Sequence, residues 1–241
     1  MFLPRLVVFA LFLVAGSSLH GQAMPAEYAT FMSHGKAVSC AVYETRDVTA
    51  TMIFLRGSSP ADLALAKLQA RFFAEHGFRV LLPDYLSATS SAETTAANYR
   101  RWAQVVGDIV AELHARPLQR NKKIALAGQA LGASVALVAA SQKMDVDAVA
   151  EWSGLLPNQL FSQVQSLPPL LIVHGEQDKQ VPVVTARQLI RLCKLKDFTC
   201  DAEIYPTEGH VFTARAMDSA NQRTLAFFRT YLWASLPKRA E

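Results

Sequence analysis

Three positions have the residue types and chain order of a catalytic nucleophile, acid and base, except that the nucleophile position carries only a methyl group. Ala130 lies in the motif Gly128-Gln129-Ala130-Leu131-Gly132, which has the Gly-x-nucleophile-x-Gly pattern of a strained turn between a strand and a helix. Asp178 and His210 follow in that order. A carboxylate that holds one imidazole nitrogen leaves the other free to accept a proton, which is the chemistry of acyl transfer.

The acid and the base each lie just after the end of a predicted strand, a continuous apolar one in the case of Asp178 and the last one in the case of His210. Asp178 is in the loop His174-Gly175-Glu176-Gln177-Asp178-Lys179-Gln180-Val181-Pro182, and His210 closes the loop Tyr205-Pro206-Thr207-Glu208-Gly209-His210. Because reactive groups gather at the carboxyl ends of parallel strands, these loops are expected to meet Ala130 at one sheet edge. A lone Asp or His in a loop is usually a turn former or a surface residue, but two in this order and context favour a catalytic pair.

The loop Phe54 to Pro60 follows an early predicted strand and is a candidate oxyanion site. Gly57 or Ser58 would supply one main-chain N–H to a developing oxyanion, and Leu131, which follows the central Ala130, would supply the other. A simple strand-to-helix turn explains Gly57 and Pro60 equally well. Both interpretations of this loop stay open.

Arg56 and Gln129 are the candidate substrate-binding residues beside this constellation. A guanidinium near the oxyanion loop could hold a substrate carboxylate through paired hydrogen bonds. The alternative for Arg56 is that it packs against a surface carboxylate of the protein itself. Gln129 is a candidate because it adjoins Ala130 in the motif.

Apolar, β-rich runs alternate with helical patterns from Lys36 onward, which predicts crossover units and a mostly parallel central sheet with helices on both faces. The predicted strands are Ala37 to Tyr43, Thr51 to Leu55, Arg79 to Leu82, Lys123 to Ala127, Ala148 to Trp152, Leu170 to His174 and Ala202 to Tyr205. The predicted helices are Pro60 to His76, Thr94 to His114, Leu131 to Ser141, Val183 to Cys193 and Thr213 to Ser235. The stretch from Ser153 to Pro168 is too short for a large cap domain, so an open site is expected.

The amino terminus has the pattern of a secretory signal peptide. Arg5 precedes the apolar run Leu6 to Ala15, and small and polar residues lead to a cleavage position after Ala23. Because this run is shorter than the roughly 20 residues that span a bilayer, an uncleaved anchor is the second choice. Residues 1–23 are therefore predicted to be a signal peptide and residues 24–241 a single domain, exported to the periplasm or secreted.

Composition is that of a globular domain, with 51% hydrophobic and 18% charged residues. Without residues 1–23 the chain has 23 basic and 20 acidic residues, a net charge of +3, with no Lys/Arg cluster. Because the basic residues are not clustered, we expect neither a nucleic-acid partner nor stable membrane anchoring after signal cleavage.

Three cysteines follow the predicted signal peptide, and their spacing matches no metal-ligand pattern. Cys193 lies near the end of a predicted helix and Cys200 at the start of the next strand, so a local disulfide is sterically possible. Cys40 is expected to be a small buried hydrophobe in a strand.

Together with the motifs Leu82-Pro83-Asp84-Tyr85, Asn98-Tyr99-Arg100-Arg101-Trp102 and Glu151-Trp152-Ser153-Gly154-Leu155-Leu156-Pro157, these residues make the chain resemble a dienelactone hydrolase-type member of the α/β-hydrolase superfamily. The resemblance runs from about Gly35 to Leu232. It implies a three-layer α/β-hydrolase fold and hydrolysis of small carboxylic esters or lactones through a Cys or Ser nucleophile, without metal or organic cofactor. It also implies Asp178 as acid, His210 as base, and Leu131 with Gly57 or Ser58 as oxyanion donors.

The chain departs from this family pattern at two positions: Ala130 replaces the nucleophile, and Arg56 stands where many relatives of the wider superfamily have His. Ser134 is one helical turn beyond Ala130 but deeper, and neither Ser58 nor Ser59 lies on a strained turn aimed at His210, so no residue is expected to replace the nucleophile. We therefore expect a hydrolase scaffold whose activity is weak or lost, a pseudoenzyme.

Three interpretations of the missing nucleophile follow. The Asp178–His210 pair could activate water or deprotonate a substrate as a general base. The scaffold could instead bind a small ester, lactone or carboxylate without turnover. An alanine introduced deliberately would trap substrate in an active enzyme, although the retained signal segment argues against this origin.

Overall fold

The computed structural model describes residues 27–89, 93–117, 119 and 122–233. Its strands are β1 (Glu27–Ser33), β2 (Lys36–Tyr43), β3 (Ala50–Leu55), β4 (Phe78–Pro83), β5 (Ile124–Gln129), β6 (Ala148–Trp152), β7 (Leu170–Gly175) and β8 (Cys200–Tyr205). Its helices are α1 (Pro60–Glu75), α2 (Ala96–Ala115), α3 (Leu131–Ser141), α4 (Asn158–Phe161), α5 (Val184–Lys196) and α6 (Ala214–Leu232), with a 3₁₀ helix at Tyr85–Ala88.

The eight strands form one sheet in the order β1-β2-β4-β3-β5-β6-β7-β8. From β4 to β8 all neighbours are parallel, whereas β2 pairs antiparallel with both β1 and β4. The carboxyl ends of β3, β5, β6, β7 and β8 therefore lie along the same edge of the sheet. This is the edge that the sequence predicts to carry the site.

The core consists of two apolar layers, one on each face of the sheet. Alternate residues of β5 enter different layers: Ile124 and Leu126 pack on the face covered by α2, α3 and α5, while Ala125 and Ala127 pack on the face covered by α1 and α6. Strands that are buried on both faces read as unbroken apolar runs, which is why the sequence predicts them well. The predicted three-layer architecture is confirmed.

Strand β1 was not among the predicted strands. Most of its residues are exposed or half-buried and only Phe31 and Ser33 are buried, because it is an edge strand that pairs on one side only. The sequence therefore lacks the unbroken apolar run that marks the central strands. Strand β5 also ends two residues later than predicted, at Gln129.

Several sequence expectations concern single elements outside the site. Cys193 and Cys200 form a disulfide that joins the end of α5 to the start of β8, and Cys40 is a buried free cysteine. Between β6 and β7 the chain contains only the short helix α4, so no large cap covers the sheet edge. The predicted signal peptide and the end of the last predicted helix, Ser235, lie outside the described residues, among which no helix is long and apolar enough to cross a membrane.

Candidate active site

Ala130 occupies a strained turn between β5 and α3. Its backbone has φ 51° and ψ −120°, a left-handed conformation that is costly for a residue with a Cβ. The turn is held on both sides, since the Ala130 N–H donates to the carbonyl of Trp152 (2.8 Å) and its own carbonyl accepts from Ser134 N (3.1 Å). The predicted strained turn is present, and at its apex stands a methyl group.

The two glycines of the motif are explained by close backbone contacts. A Cβ on Gly128 would overlap the backbone of Gly132, and a Cβ on Gly132 would overlap the carbonyl of Leu55 at the end of β3. Glycine at both positions lets the first turn of α3 press against β5 and against the loop after β3. The same packing brings the candidate oxyanion loop next to the turn at Ala130.

Asp178 and His210 form a hydrogen-bonded pair. His210 Nδ1 lies 2.8 Å from Asp178 Oδ2, and the other carboxylate oxygen accepts the N–H groups of Gln180 and Val181, both at 2.8 Å. The Asp178 side chain is fully buried, while that of His210 remains 11% exposed. With Nδ1–H donating to the carboxylate, Nε2 of His210 keeps a lone pair that can accept a proton.

The loops that carry this pair are joined to each other by their backbones. Glu176 N donates to the carbonyl of Tyr205 and Gln177 N to that of Glu208, each at 2.9 Å. Gly175 has no room for a Cβ, which would overlap the carbonyl of Gly209. The end of β7 therefore holds the loop after β8 in place.

Trp152, the last residue of β6, contacts both the His210 loop and the turn at Ala130. Its ring stacks on Phe212 with centroids 6.4 Å apart and planes 22° from parallel, and its carbonyl accepts the Ala130 N–H. Its indole N–H donates to Thr224 Oγ1 of α6 at 3.2 Å. Strand β6, which lies between β5 and β7, thus contacts both the segment after His210 and the turn at Ala130 at one sheet edge.

The candidate oxyanion donors have free main-chain N–H groups. Within the described chain, the N–H groups of Gly57, Ser58 and Leu131 have no backbone acceptor, and the first N–H groups of a helix such as α3 have no intrahelical partner. Gly57 is needed for space, because a Cβ there would overlap the carboxylate of Asp62. Ser59 is not available as a replacement nucleophile, since its hydroxyl caps α1 by accepting from Asp62 N.

The two candidate substrate-binding side chains are engaged or enclosed by the protein. Arg56 Nη2 lies 3.5 Å from Asp84 Oδ1, and its Nη1 donates to the carbonyl of Gly57 at 2.9 Å, which matches the alternative of packing against a protein carboxylate. Gln129 is only 5% exposed and pairs in register with Trp152. No partner for its Oε1 is present among the described residues. A substrate role for either residue stays a prediction.

Glu151 is a buried acid near the turn at Ala130 and is not among the residues predicted for the site. It is fully buried in β6, its Oε2 accepts from Gly154 N at 2.8 Å, and its Oε1 has no partner in the described chain. Gly154 is packed against Ala133 and Ser134, so the carboxyl lies against the first turn of α3. Burial raises the pKa of Glu151 to about 8. A glutamate inside an otherwise apolar predicted strand was the available signal.

His174 is a fully buried histidine beside Asp178, and it is not among the residues predicted for the site. Its Nε2 donates to the carbonyl of Val181 at 2.8 Å and lies 3.4 Å from Asp178 Oδ2. Burial lowers the pKa of His174. A neutral His174 therefore supports the turn that presents Asp178.

Ser134 is excluded as a substitute nucleophile by its hydrogen bonds. Its side chain is buried, its Oγ accepts from Leu155 N at 3.0 Å, and its hydroxyl donates to the Ala130 carbonyl at 3.4 Å. Within the part of the chain that the structure describes, no group of three or more His, Cys, Asp or Glu side chains could hold a metal ion.

Comparison with known proteins gives a family and a fold. The sequence profile of the Dienelactone hydrolase family matches residues 62–232. Similar solved structures include a dienelactone hydrolase from Anabaena variabilis, with 19% identity, a TM-score of 0.71, and coverage of 88% of this chain and 99% of that one. An α/β serine hydrolase without a lid from Xanthomonas campestris has 18% identity, a TM-score of 0.69, and coverage of 88% and 97%.

A third solved structure, a putative dienelactone hydrolase from Klebsiella pneumoniae, has 14% identity, a TM-score of 0.68, and coverage of 86% of this chain and 98% of that one. No curated protein matches the chain. At these identities the solved structures show a shared fold, which confirms the α/β-hydrolase architecture.

Proposed function

Because the chain belongs to the dienelactone hydrolase family, we propose that it is a carboxylic ester or lactone hydrolase scaffold that has lost the covalent route and keeps at most slow, general-base hydrolysis. The observation that carries this proposal is a bare methyl at the strained turn after β5, at the same sheet edge as an intact Asp178–His210 pair. The free N–H groups of Leu131 and Gly57 or Ser58 support it, because they could stabilise an oxyanion without any side-chain nucleophile.

In the proposed mechanism a water molecule takes the part of the missing nucleophile. Nε2 of His210 removes a proton from the water as its oxygen attacks the substrate carbonyl, and Asp178 stabilises the imidazolium that forms. The carbonyl oxygen becomes an oxyanion facing the main-chain donors. When this intermediate collapses, His210 returns the proton to the leaving alkoxide, and the products are a carboxylic acid and an alcohol.

The loss of the attacking group sets the expected rate. In a triad, removing the nucleophile abolishes nearly all of the cooperative gain, while binding and the oxyanion site leave a residual acceleration of roughly 10³ over water. Activity of this size is weak enough that binding of a small ester, lactone or carboxylate without turnover is the competing function. The methyl group of Ala130 is compatible with both slow hydrolysis and binding without turnover, so kinetic measurements are needed to separate the two functions.

The test is a panel of nitrophenyl esters and simple lactones, assayed with the parent chain, Ala130→Ser, Ala130→Cys and His210→Ala. We expect slow hydrolysis by the parent that His210→Ala abolishes, and a large gain in kcat/KM for Ala130→Ser or Ala130→Cys. Parent activity at background with a gain on restoring the nucleophile would favour the binding function. No gain from either restored nucleophile would mean that this is not a latent hydrolase site.

Export is a separate part of the proposal, supported by the Arg5 and Leu6 to Ala15 pattern. Cleavage after Ala23 would release a periplasmic or secreted domain without a membrane anchor and without a nucleic-acid partner. Intact-mass measurement of the protein expressed in full in a secreting bacterium tests this. A mature chain that begins at Met24 is expected, and a full-length chain retained in the membrane fraction would contradict it.

A further inference from the structure

A cavity of about 520 Å³ lies far along the sheet from the acid–base pair. It is lined by the β1–β2 hairpin, the 3₁₀ helix after β4, and α2. Strand β2 is five positions from β7 in the sheet order, a separation of roughly 24 Å at ~4.8 Å per strand. Ala130, Asp178 and His210 do not line it, so this cavity is distinct from the candidate active site.

The described lining of the cavity, which we call the basic pocket, divides into an apolar floor and a basic rim. Val38 and Val105 form the floor and are 3% and 1% exposed. Lys36 and Arg101 stand at the rim and are exposed to solvent. His34 joins them from the hairpin turn, where it and Gly35 both have positive φ, at 48° and 74°. Such two-residue turns fix the register of a hairpin and so the position of the rim.

Among the described residues, no carboxylate neutralises the cations of the basic pocket. The side chains of Lys36 and Arg101 have no ion pair with these residues, and none of the described lining residues is acidic. The carboxylate of Asp108 is not part of the lining, but it accepts from Oγ of the lining residue Ser33 at 2.6 Å and from Gln104 Nε2 at 2.8 Å. An anion in the pocket would therefore meet positive charge without competition from a lining carboxylate.

We propose that the basic pocket binds a small free carboxylate with an unbranched apolar body, of the medium-chain fatty acid type. The planar guanidinium of Arg101 suits a carboxylate, since it can donate two parallel hydrogen bonds, and Lys36 adds a second positive charge. The floor of Val38 and Val105 removes hydrocarbon from water. A volume of about 520 Å³ is within the range of small-molecule sites.

A free acid fits this site better than an anionic membrane surface. Recognition of anionic lipid surfaces typically uses clusters of four to eight Lys or Arg side chains, whereas the basic pocket has two of these and one histidine around a concave floor. The proposal does not depend on hydrolysis, so its test uses binding alone and can succeed or fail independently of the proposed function.

The test is calorimetric titration of the full-length protein with decanoate below its micelle concentration, at low salt, with decanol as the uncharged probe. We expect one saturable decanoate site whose affinity falls as NaCl is added, and much weaker binding of decanol. Arg101→Gln should weaken decanoate binding by tenfold or more, the loss expected for a charge-assisted hydrogen bond. The matched control is Arg100→Gln, whose guanidinium faces Gln163 instead, and it should change affinity less than twofold.

A second variant adds a negative charge to an exposed lining position without endangering the fold. Ala37 lines the pocket and is exposed, so Ala37→Glu should fold normally while its carboxylate repels decanoate and removes binding. Equal affinity for decanol, no saturable decanoate binding, or unchanged binding by both Arg101→Gln and Ala37→Glu would overturn the proposal. Sedimentation with phosphatidylglycerol vesicles in the absence of decanoate binding would overturn it in favour of a membrane surface.

Discussion

Ala130 holds a backbone conformation that costs stability, while its methyl group cannot make the covalent bond for which such turns present a side chain. Strained left-handed residues of this kind cost about 1 to 3 kcal/mol each and persist where the surrounding structure fixes them. Here the fixing contacts are the hydrogen bonds to Trp152 and Ser134. The turn therefore keeps its strained conformation with a methyl group at its apex.

This strain gives a stability prediction for Ala130→Gly. Glycine adopts positive φ without strain but loses more backbone entropy on folding, so we expect a net rise in the free energy of unfolding of about 1 kcal/mol. The matched control is Ala133→Gly within α3, which should lower the free energy of unfolding by about 1 kcal/mol or more. Urea unfolding of both variants measures the difference. A lower stability for Ala130→Gly would show that the turn is not strained.

Glu151 gives a prediction about pH. Its folded pKa of about 8 is far above the ordinary value of 4.5, so between these pH values the folded chain keeps a proton that the unfolded chain releases. Stability therefore falls as pH rises, by about 1.4 kcal/mol per pH unit, and the loss levels off above pH 8. Because a glutamine at position 151 cannot ionise, Glu151→Gln should not show this loss. The free energy of unfolding of Glu151→Gln minus that of the parent should therefore rise from pH 5 to pH 8.

The check for Glu151 is urea unfolding at several pH values, with Glu75→Gln as the control at an exposed position of α1. We expect the Glu75→Gln curve to run parallel to that of the parent. If the Glu151→Gln and parent curves are also parallel, the carboxyl is ionised in the folded protein and the raised pKa is wrong.

The chemistry-bearing residues differ in how far the sequence predicts them. Asp178 and His210 could be predicted as a pair, because each lies in the loop that follows a predicted strand, and such loops gather at one sheet edge. His174 and Glu151 were not assigned a role, although a glutamate inside an apolar predicted strand is a signal of burial. Their partners, Val181 and Gly154, lie in turns whose conformation the sequence pattern does not predict.

At the level of elements, the site is held together by backbone contacts between loops. The loops after β7 and β8 share hydrogen bonds, and Gly175 and Gly132 allow contacts that any side chain would block. The sequence predicts the buried parallel strands from their apolar runs, but it missed β1, whose partly exposed face follows from its place at the sheet edge. The observed end of β5 at Gln129 also differs from the predicted end, because packing and not local sequence preference decides where the strand ends.

The disulfide between α5 and β8 is expected to stabilise the folded protein. Cys193 and Cys200 are seven residues apart, and closing so short a loop in the unfolded chain stabilises the folded protein by about 2 kcal/mol. We expect Cys193→Ser/Cys200→Ser to lower the free energy of unfolding by about this amount. A reductant should destabilise the parent and leave the double variant unchanged. Equal responses of the two proteins to reductant would contradict the disulfide's stabilising role.

Across the whole molecule, one α/β-hydrolase fold separates two places with different chemistry. The carboxyl ends of β5 to β8 carry the turn at Ala130 and the acid–base pair, and the basic pocket lies at the β1–β2 end of the same sheet. The fold class could be predicted from the alternation of strands and helices in the sequence. The basic pocket could not be predicted, because it is formed by an edge hairpin and a helix that are distant in the sequence.

Whether an otherwise complete acyl-transfer site lacks only its nucleophile can be measured by intact-mass analysis after acid quenching of a reaction with nitrophenyl acetate. We expect Ala130→Ser to gain the mass of one acetyl group on the introduced serine, and neither Ala130→Ser/His210→Ala nor the parent to gain it. Acetylation of the parent on another serine, or no acetylation of a correctly folded Ala130→Ser variant with any ester of the panel, would show that the site is not of this kind.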